Sequence, residues 1–401
     1  QSLITKDKKL EEFEYLKKIY NRVTKRLTPL LNTIHKKRYN QKEWQILIFY
    51  FLHNYIFLAY DKWKIIKKLK RKINLNPVEI FSFSKNFFST EDTRSFYDQL
   101  KTDLWDDWLF SQIIKYQKIE YYEKKIKTHR KFFNNSNNFR NLKLQKFFLK
   151  KNKDEYFLKS LELPRFLKVK LNLHLNKNIP IYNNLKLKNN SDFWTERDLF
   201  KKIDSKDKFE KFIYNTLPEV FPKSYLENFK LIENNLNLLN WPEKPKIIFT
   251  SYDHYFNDAF KIYSMKETFS GTKFFILQHG HQGHNDLCGS FYEKKICDRY
   301  FTWGNKSKDK KVLPLFCSTN IGKTIKRNIK KNIMLSYTEF PIKPWKQQAY
   351  PRVIDETIIY KNDIVNFISG LKKNLQDQII LKSFHSDGKN FITEQIKQNF
   401  K

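Results

Sequence analysis

The chain reads as an α/β protein, on three observations. From Pro245 onward, short apolar runs at Ile247–Thr250, Phe274–Leu277, Tyr300–Thr302, Ile333–Leu335 and Ile379–Leu381 alternate with helical segments. Such alternation belongs to parallel sheets, whose crossovers are helices. The stretch Lys273–Gly304 runs strand, polar loop, strand, with Gln278, His279 and Gly280 directly after the first apolar run. Polar groups at the carboxyl end of a strand are where open α/β sheets place their ligands. The first seventy residues instead keep apolar positions three and four apart, the period of amphipathic helices.

Taken in order, the opening LEEFEYLKKIYNRVTKRLTPLLNTIHKKRY predicts one long helix, with Pro29 as a point where it can kink. Trp44–Lys68 predicts a second. Its most apolar window, Ile46–Tyr60, is shorter than the ~20 residues a membrane crossing needs and carries His53 and Asn54. It therefore reads as a buried helix. Asp103–Tyr116 predicts a further helix. Residues 126–190 are basic and rich in Asn, and Leu167–Leu175 (LKVKLNLHL) alternates as a strand with one wet face would. Helices are expected near Glu196–Leu217, Leu226–Leu239, Asp258–Thr268 and Asp363–Leu375, with Lys323–Asn332 as a basic linker.

Charge is the compositional outlier: 77 Lys and Arg against 42 Asp and Glu, formally +35. Such a surface attracts polyanions, and the excess of Lys over Arg argues against dedicated bidentate phosphate readout. An AT-rich coding sequence would produce the same Lys, Asn, Ile and Phe bias. Three cysteines, Cys288, Cys297 and Cys317, make no disulfide framework and fit a reducing cytoplasm. No signal peptide opens the sequence. The sequence also has no P-loop, no G-x-G-x-x-G and no G-x-S-x-G, which counts against an NTPase, a dinucleotide oxidoreductase and an α/β-hydrolase.

Several groups could carry chemistry. SYDHYFNDAFK, residues 251–261, follows one strand and opens a helix. Asp253 or Asn257 could cap that helix, or a carboxylate, preferably Asp258, could face a cleft as nucleophile or base. In QHGHQGH, Gly280 and Gly283 permit turns of positive φ, and His279 could hold an anion or act as general acid/base. His279, His281, His284, Cys288 and Cys297 lie close together, but their spacing matches no usual zinc pair. Glu293 and Asp298 could each bind a sugar hydroxyl or pair with Lys294, Lys295 or Arg299. Ser336, Thr338 and Lys382 follow or end strands and suit a nucleotide phosphate.

LLNTIHKKRYNQKEWQILIFYFLHNY with YDKW, then DDWLF, TSYDHYFNDAFK, QHGHQG, EKKICDRYFTWG and LSYTEFP together resemble a bacterial family of surface-polysaccharide transferases. That family is related to the retaining β-Kdo transferases of glycosyltransferase family 99. The resemblance implies a GT-B-like fold, two Rossmann-type domains facing a cleft, here residues 1–325 and 326–401. The second would be only on the order of 70 residues, against the ~100–150 usual for a domain. It implies a CMP-Kdo donor, no further cofactor, no metal, and a lipid-linked or polysaccharide acceptor of the O-antigen or capsule type. Configuration would be retained through a carboxylate nucleophile, mapped to Asp258 with Asp253 in reserve. His279 would lie beside the donor with Gln278, Gly280, His281 and Glu293, and Ser336, Thr338 and Lys382 would hold CMP. The family often has paired glycines after QH, where this chain has His281. The expected setting is cytoplasmic, against the anionic inner face of the inner membrane. The alternatives are a GT-B enzyme with another nucleotide sugar, or a basic protein that binds nucleic acid, which the resemblance does not favour.

Overall fold

The computed structural model describes residues 6–72, 77–126, 153–175, 195–280, 290–324, 332–339, 354–384 and 391–400. The chain divides into two units, one of Lys9–Ile321 and one containing Gly322–Lys401. The expectation of an α/β protein with parallel sheets holds.

In the larger unit, α1 (Lys6–His35) buries one stripe, including Leu16, Tyr20, Val23, Leu27 and Leu31. Pro29 sits within it without ending it. Past His35 the chain turns through Lys36 at φ 53°, and the Asn32 side chain ties the turn to Tyr39 and to the Trp44 indole. α2 (Gln41–Lys72) is buried at every position from Glu43 to Ala59. A helix apolar all round has no wet face to offer and belongs inside a core. It packs against the helices Asp258–Phe269 and Ser290–Ile296 and against α4 (Asp103–Tyr116), which follows the short α3 (Thr93–Gln99).

A two-stranded parallel sheet joins β1 (Val78–Ser82) to β2 (Tyr121–Lys125). The main sheet is five-stranded and parallel throughout, in the order β3 (Tyr156–Lys159), β4 (Ile247–Thr250), β5 (Lys273–Leu277), β6 (Arg299–Thr302), β7 (Val312–Pro314). Its central residues, Phe157, Ile248, Phe274, Ile276 and Tyr300, are fully buried, as strands covered on both faces require.

Four expected elements differ, one of them Asp363–Leu375, which is the end of the helix Ile354–Ser369 followed by the separate short helix Lys373–Gln376. Leu167–Leu175 is no strand: Arg165–His174 is a helix, entered from Pro164, whose carbonyl accepts the Lys168 amide at 3.1 Å. Its period-two pattern misleads because none of its residues is buried, so no sheet face selects the alternation. The helix expected at Glu196–Leu217 is two elements. A 3₁₀ segment, Thr195–Lys202, precedes Lys208–Val220, where Asp207 accepts the amides of Phe209 and Glu210 and starts a new helix. Leu226–Leu239 likewise shortens to Phe229–Asn235 followed by a 3₁₀ turn.

In the smaller unit, β8 (Ile333–Thr338) and β9 (Ile379–Phe384) pair in parallel, joined through the helix Ile354–Ser369. Tyr337, Ile364, Ile368, Ile392 and Ile396 form its core, the last two from the helix Phe391–Asn399.

Candidate functional site

In the larger unit the carboxyl ends of β3, β4 and β5 deliver a set of polar side chains. After β4, the Asp253 amide donates to Thr250 Oγ1 at 3.2 Å, which tightens the turn. Asn257 caps the helix Asp258–Phe269 by accepting the Phe260 amide at 3.1 Å, so of the two expected caps it is Asn257 that fills the role. Asp253 is thereby released for other contacts. Ser160, at φ 52° just past β3, donates to Asp253 Oδ1 at 2.9 Å, and Lys159 Nζ lies 3.3 Å from Oδ2. Tyr252, beside it, is 44% exposed, so this end of the sheet opens to solvent. Glu162 joins the same edge through its amide, which donates to Ser251 Oγ at 3.2 Å, and burial pushes its carboxyl above the ordinary value.

The turn after β5 is built by Gln278. Its amide donates to Phe301 O at 2.7 Å, its Oε1 accepts the Trp303 amide at 2.8 Å, and its Nε2 donates to Gly280 O at 2.9 Å. One side chain therefore locks the ends of β5 and β6 together, and Gln278 is itself buried. Gly280 takes φ +62°, in the left-handed region open to glycine, with clear space where a Cβ would point. His279 between them packs its ring 5.2 Å from Tyr255 and 6.2 Å from the exposed Tyr252.

Behind this surface Glu293, expected beside the donor, is instead buried, paired with His254, which sequence reasoning did not single out. His254 Nε2 donates to Glu293 Oε1 at 2.8 Å, Tyr255 donates to the same oxygen, and Tyr300 donates to Oε2 at 3.0 Å. Both oxygens of Glu293 are taken up inside the protein, and none of these partners is Lys294, Lys295 or Arg299. Burial alone would raise the Glu293 carboxyl. The His254 hydrogen bond and charge, the charge of His279 and the Tyr255 phenol outweigh it, and the group sits below its ordinary value. His254 and Tyr255 lie within the SYDHYF motif, but which way that short turn faces depends on its packing against Phe49 and Tyr50 of α2.

Asp258 is placed differently from its expected role. It accepts from the Thr93 amide at 2.9 Å, Thr93 Oγ1 at 2.5 Å, Ser224 Oγ at 2.6 Å and Lys261 Nζ at 2.8 Å. Both oxygens are thus held by α3, by the turn at Ser224 and by the next turn of its own helix. None of these partners belongs to the 278–280 turn. Burial lowers the Lys261 ammonium, and Asp258 opposes that shift. Asp298 is also structural: it accepts the Phe274 amide at 2.8 Å and the Lys42 ammonium at 2.9 Å, at the amino ends of β5 and β6.

In the smaller unit Ser336 and Lys382 are register partners on β8 and β9, both exposed, and Thr338 stands opposite Phe384. Glu339 occupies the position an anion would take at a helix start. It accepts the Ile392 amide at 2.9 Å and the Thr393 amide and hydroxyl at 2.8 and 2.6 Å. His281, His284 and Cys288 lie outside the described residues; among the described residues no group of His, Cys, Asp and Glu suited to a metal occurs.

These features define an α/β protein with a polar site at the carboxyl edge of a parallel sheet. Residues 2–401 match the profile of the LIC12162 family transferases, and the chain belongs to that family: it is a transferase. Neither the curated proteins nor the solved structures contain a significant match to it.

Proposed function

We propose that the chain is a GT-B-type glycosyltransferase that moves Kdo from CMP-Kdo to a bacterial surface polysaccharide of the O-antigen or capsule class, with retention of configuration. The motif resemblance and the family's transferase activity support this reading. The observation that carries it is the exposed Tyr252 at the carboxyl end of β4, its ring 6.2 Å from His279, with Asp253 next in the chain and 9% exposed.

In this mechanism Asp253 replaces Asp258 as the nucleophile. An Asp253 oxygen forms a bond to the anomeric carbon as the carbon–oxygen bond to CMP breaks, and CMP leaves with that electron pair. An acceptor hydroxyl then attacks the same carbon, its proton passes to His279, and the carboxylate is released. Ser160 and Lys159 orient Asp253, and Asp258 holds the helix start in place. Glu293 positions Tyr255 against His279 rather than touching the donor. Gln278 and Gly280 shape the turn. Ser336, Thr338 and Lys382 hold the CMP moiety, and the lysine offsets phosphate charge.

Asp253→Asn keeps the shape and removes the nucleophile. Transfer from CMP-Kdo should fall by roughly 10²-fold or more, while the protein stays folded and CMP still raises its melting temperature. Unchanged transfer in this variant would remove Asp253 from the chemistry, and an inverted product would remove the covalent step.

A further inference from the structure

A second site lies along α2, away from the strand ends. Trp63 is thirteen residues beyond Tyr50, which touches Tyr255, and at 1.5 Å per residue that is about 20 Å. There the carboxyl-terminal half of α2, the end of α4 and the start of the helix Lys208–Val220 line an open cavity of about 1340 Å³. This exceeds the ~300–1,000 Å³ of pockets that hold one small molecule.

The floor of the cavity is aromatic. The Trp63 ring lies 5.6 Å from Tyr116 and 5.7 Å from Phe209, and Tyr60 lies 5.1 Å from Phe209. Its rim is cationic. Lys67 in α2, Lys118 in the turn past α4 and Lys208 at a helix start are exposed, and have no carboxylate partner among the described residues. Asp207, in the wall, is already occupied by the Tyr15 phenol, Arg22 and the two amides it caps. Like charges gathered without counter-charge repel, and a bound polyanion removes that cost. Ammonium groups spread round a rim, with no arginine fork, suit anionic groups spaced along a chain better than one planar bidentate group. The partly exposed rings of Tyr60 and Tyr116 suit the apolar faces of sugar rings.

We propose that this cavity binds a segment of acidic polysaccharide, more than one sugar long, and tethers the acceptor chain near the site at the strand ends. The identification of the polymer as a glycan rests on the glycosyltransferase reading. A tether raises the local concentration of the chain's growing end without new contacts at the reacting centre.

The test uses the full chain and a galacturonic acid octamer, with a malto-octaose of equal length and a single-stranded oligonucleotide as comparisons. The triple variant Lys67→Ala, Lys118→Ala, Lys208→Ala removes the rim. The triple variant Lys306→Ala, Lys308→Ala, Lys310→Ala removes the same charge from an exposed loop elsewhere. Affinity for the acidic octamer should fall about tenfold or more in the first triple and hardly at all in the second. Malto-octaose should bind far more weakly throughout. Equal losses in the two triples, or equal affinity for the neutral sugar, would overturn the site. An oligonucleotide held more tightly at the same lysines would make it a nucleic-acid site instead. Binding of the octamer together with no melting response to CMP would leave the cavity standing and overturn the transfer reading above.

Discussion

The carboxylate of Asp258 looks like a nucleophile in the sequence and like a tie in the structure. Its four donors leave Lys261, fully buried, with Asp258 as its carboxylate partner and with Thr93 and Tyr225 as neutral ones. Asp258→Ala strands that cation and should cost ~3–5 kcal/mol in urea unfolding, with most of the loss recovered in the double variant Asp258→Leu, Lys261→Met. Full stability of Asp258→Ala with transfer abolished would return the residue to the chemistry. A second residue-scale effect concerns His35. Its Nε2 donates to Tyr225 O at 3.0 Å, and burial lowers its pKa from 6.5 to about 4. Between these values the unfolded chain holds a proton the folded one does not, so stability should fall as pH drops from 6.5 to about 4. The loss should reach up to about 3 kcal/mol, and His35→Gln should flatten that part of the stability–pH curve. An unchanged slope in the variant would assign the acid lability to other groups.

Element by element, legibility followed burial. α2 and the strands β4, β5, β6, β8 and β9 are readable because a buried face imposes its period on the residues. β3 (YFLK) and β7 (VLP) are short runs set among lysine-rich neighbours that hide them. The turn Gln278–Gly280 is also readable, since glutamine, histidine and glycine at a strand end have few other uses. The buried partners His254 and Glu293, 39 residues apart, are set by packing and leave no local signal. The helix Arg165–His174 is the plainest failure of pattern reading. It exposes Phe166, Val169 and Leu173 on one side and carries Arg165, Lys168 and Lys170 with no acid. This composition suits the surface of an anionic bilayer, the setting expected from the sequence resemblance. The protein should pellet with vesicles holding 30% phosphatidylglycerol, on the order of the anionic content that draws basic segments to a bilayer, and not with neutral ones. The double variant Phe166→Ser, Leu173→Ser should abolish pelleting, and its retention on the vesicles would exclude this helix as the contact.

Across the whole molecule, nucleotide preference is the property that most sharply separates the donor classes. A ligand at ~100 times its dissociation constant adds about 2.7 kcal/mol, a rise of roughly 5–11 °C in melting temperature for a domain of about 150–250 residues. CMP should give such a rise, and UDP, GDP and CDP smaller ones. A larger response to UDP or GDP would keep the transferase and replace its donor. The place of α2 has a further consequence. Its apolar surface leaves the ribosome about 200 residues before the helix Asp258–Phe269 that covers it, a delay of ~10–40 s at ~5–20 residues per second. During translation the nascent chain therefore carries a sticky, unshielded rod, and yield in a foreign host should depend on chaperone supply more than on the finished protein's stability.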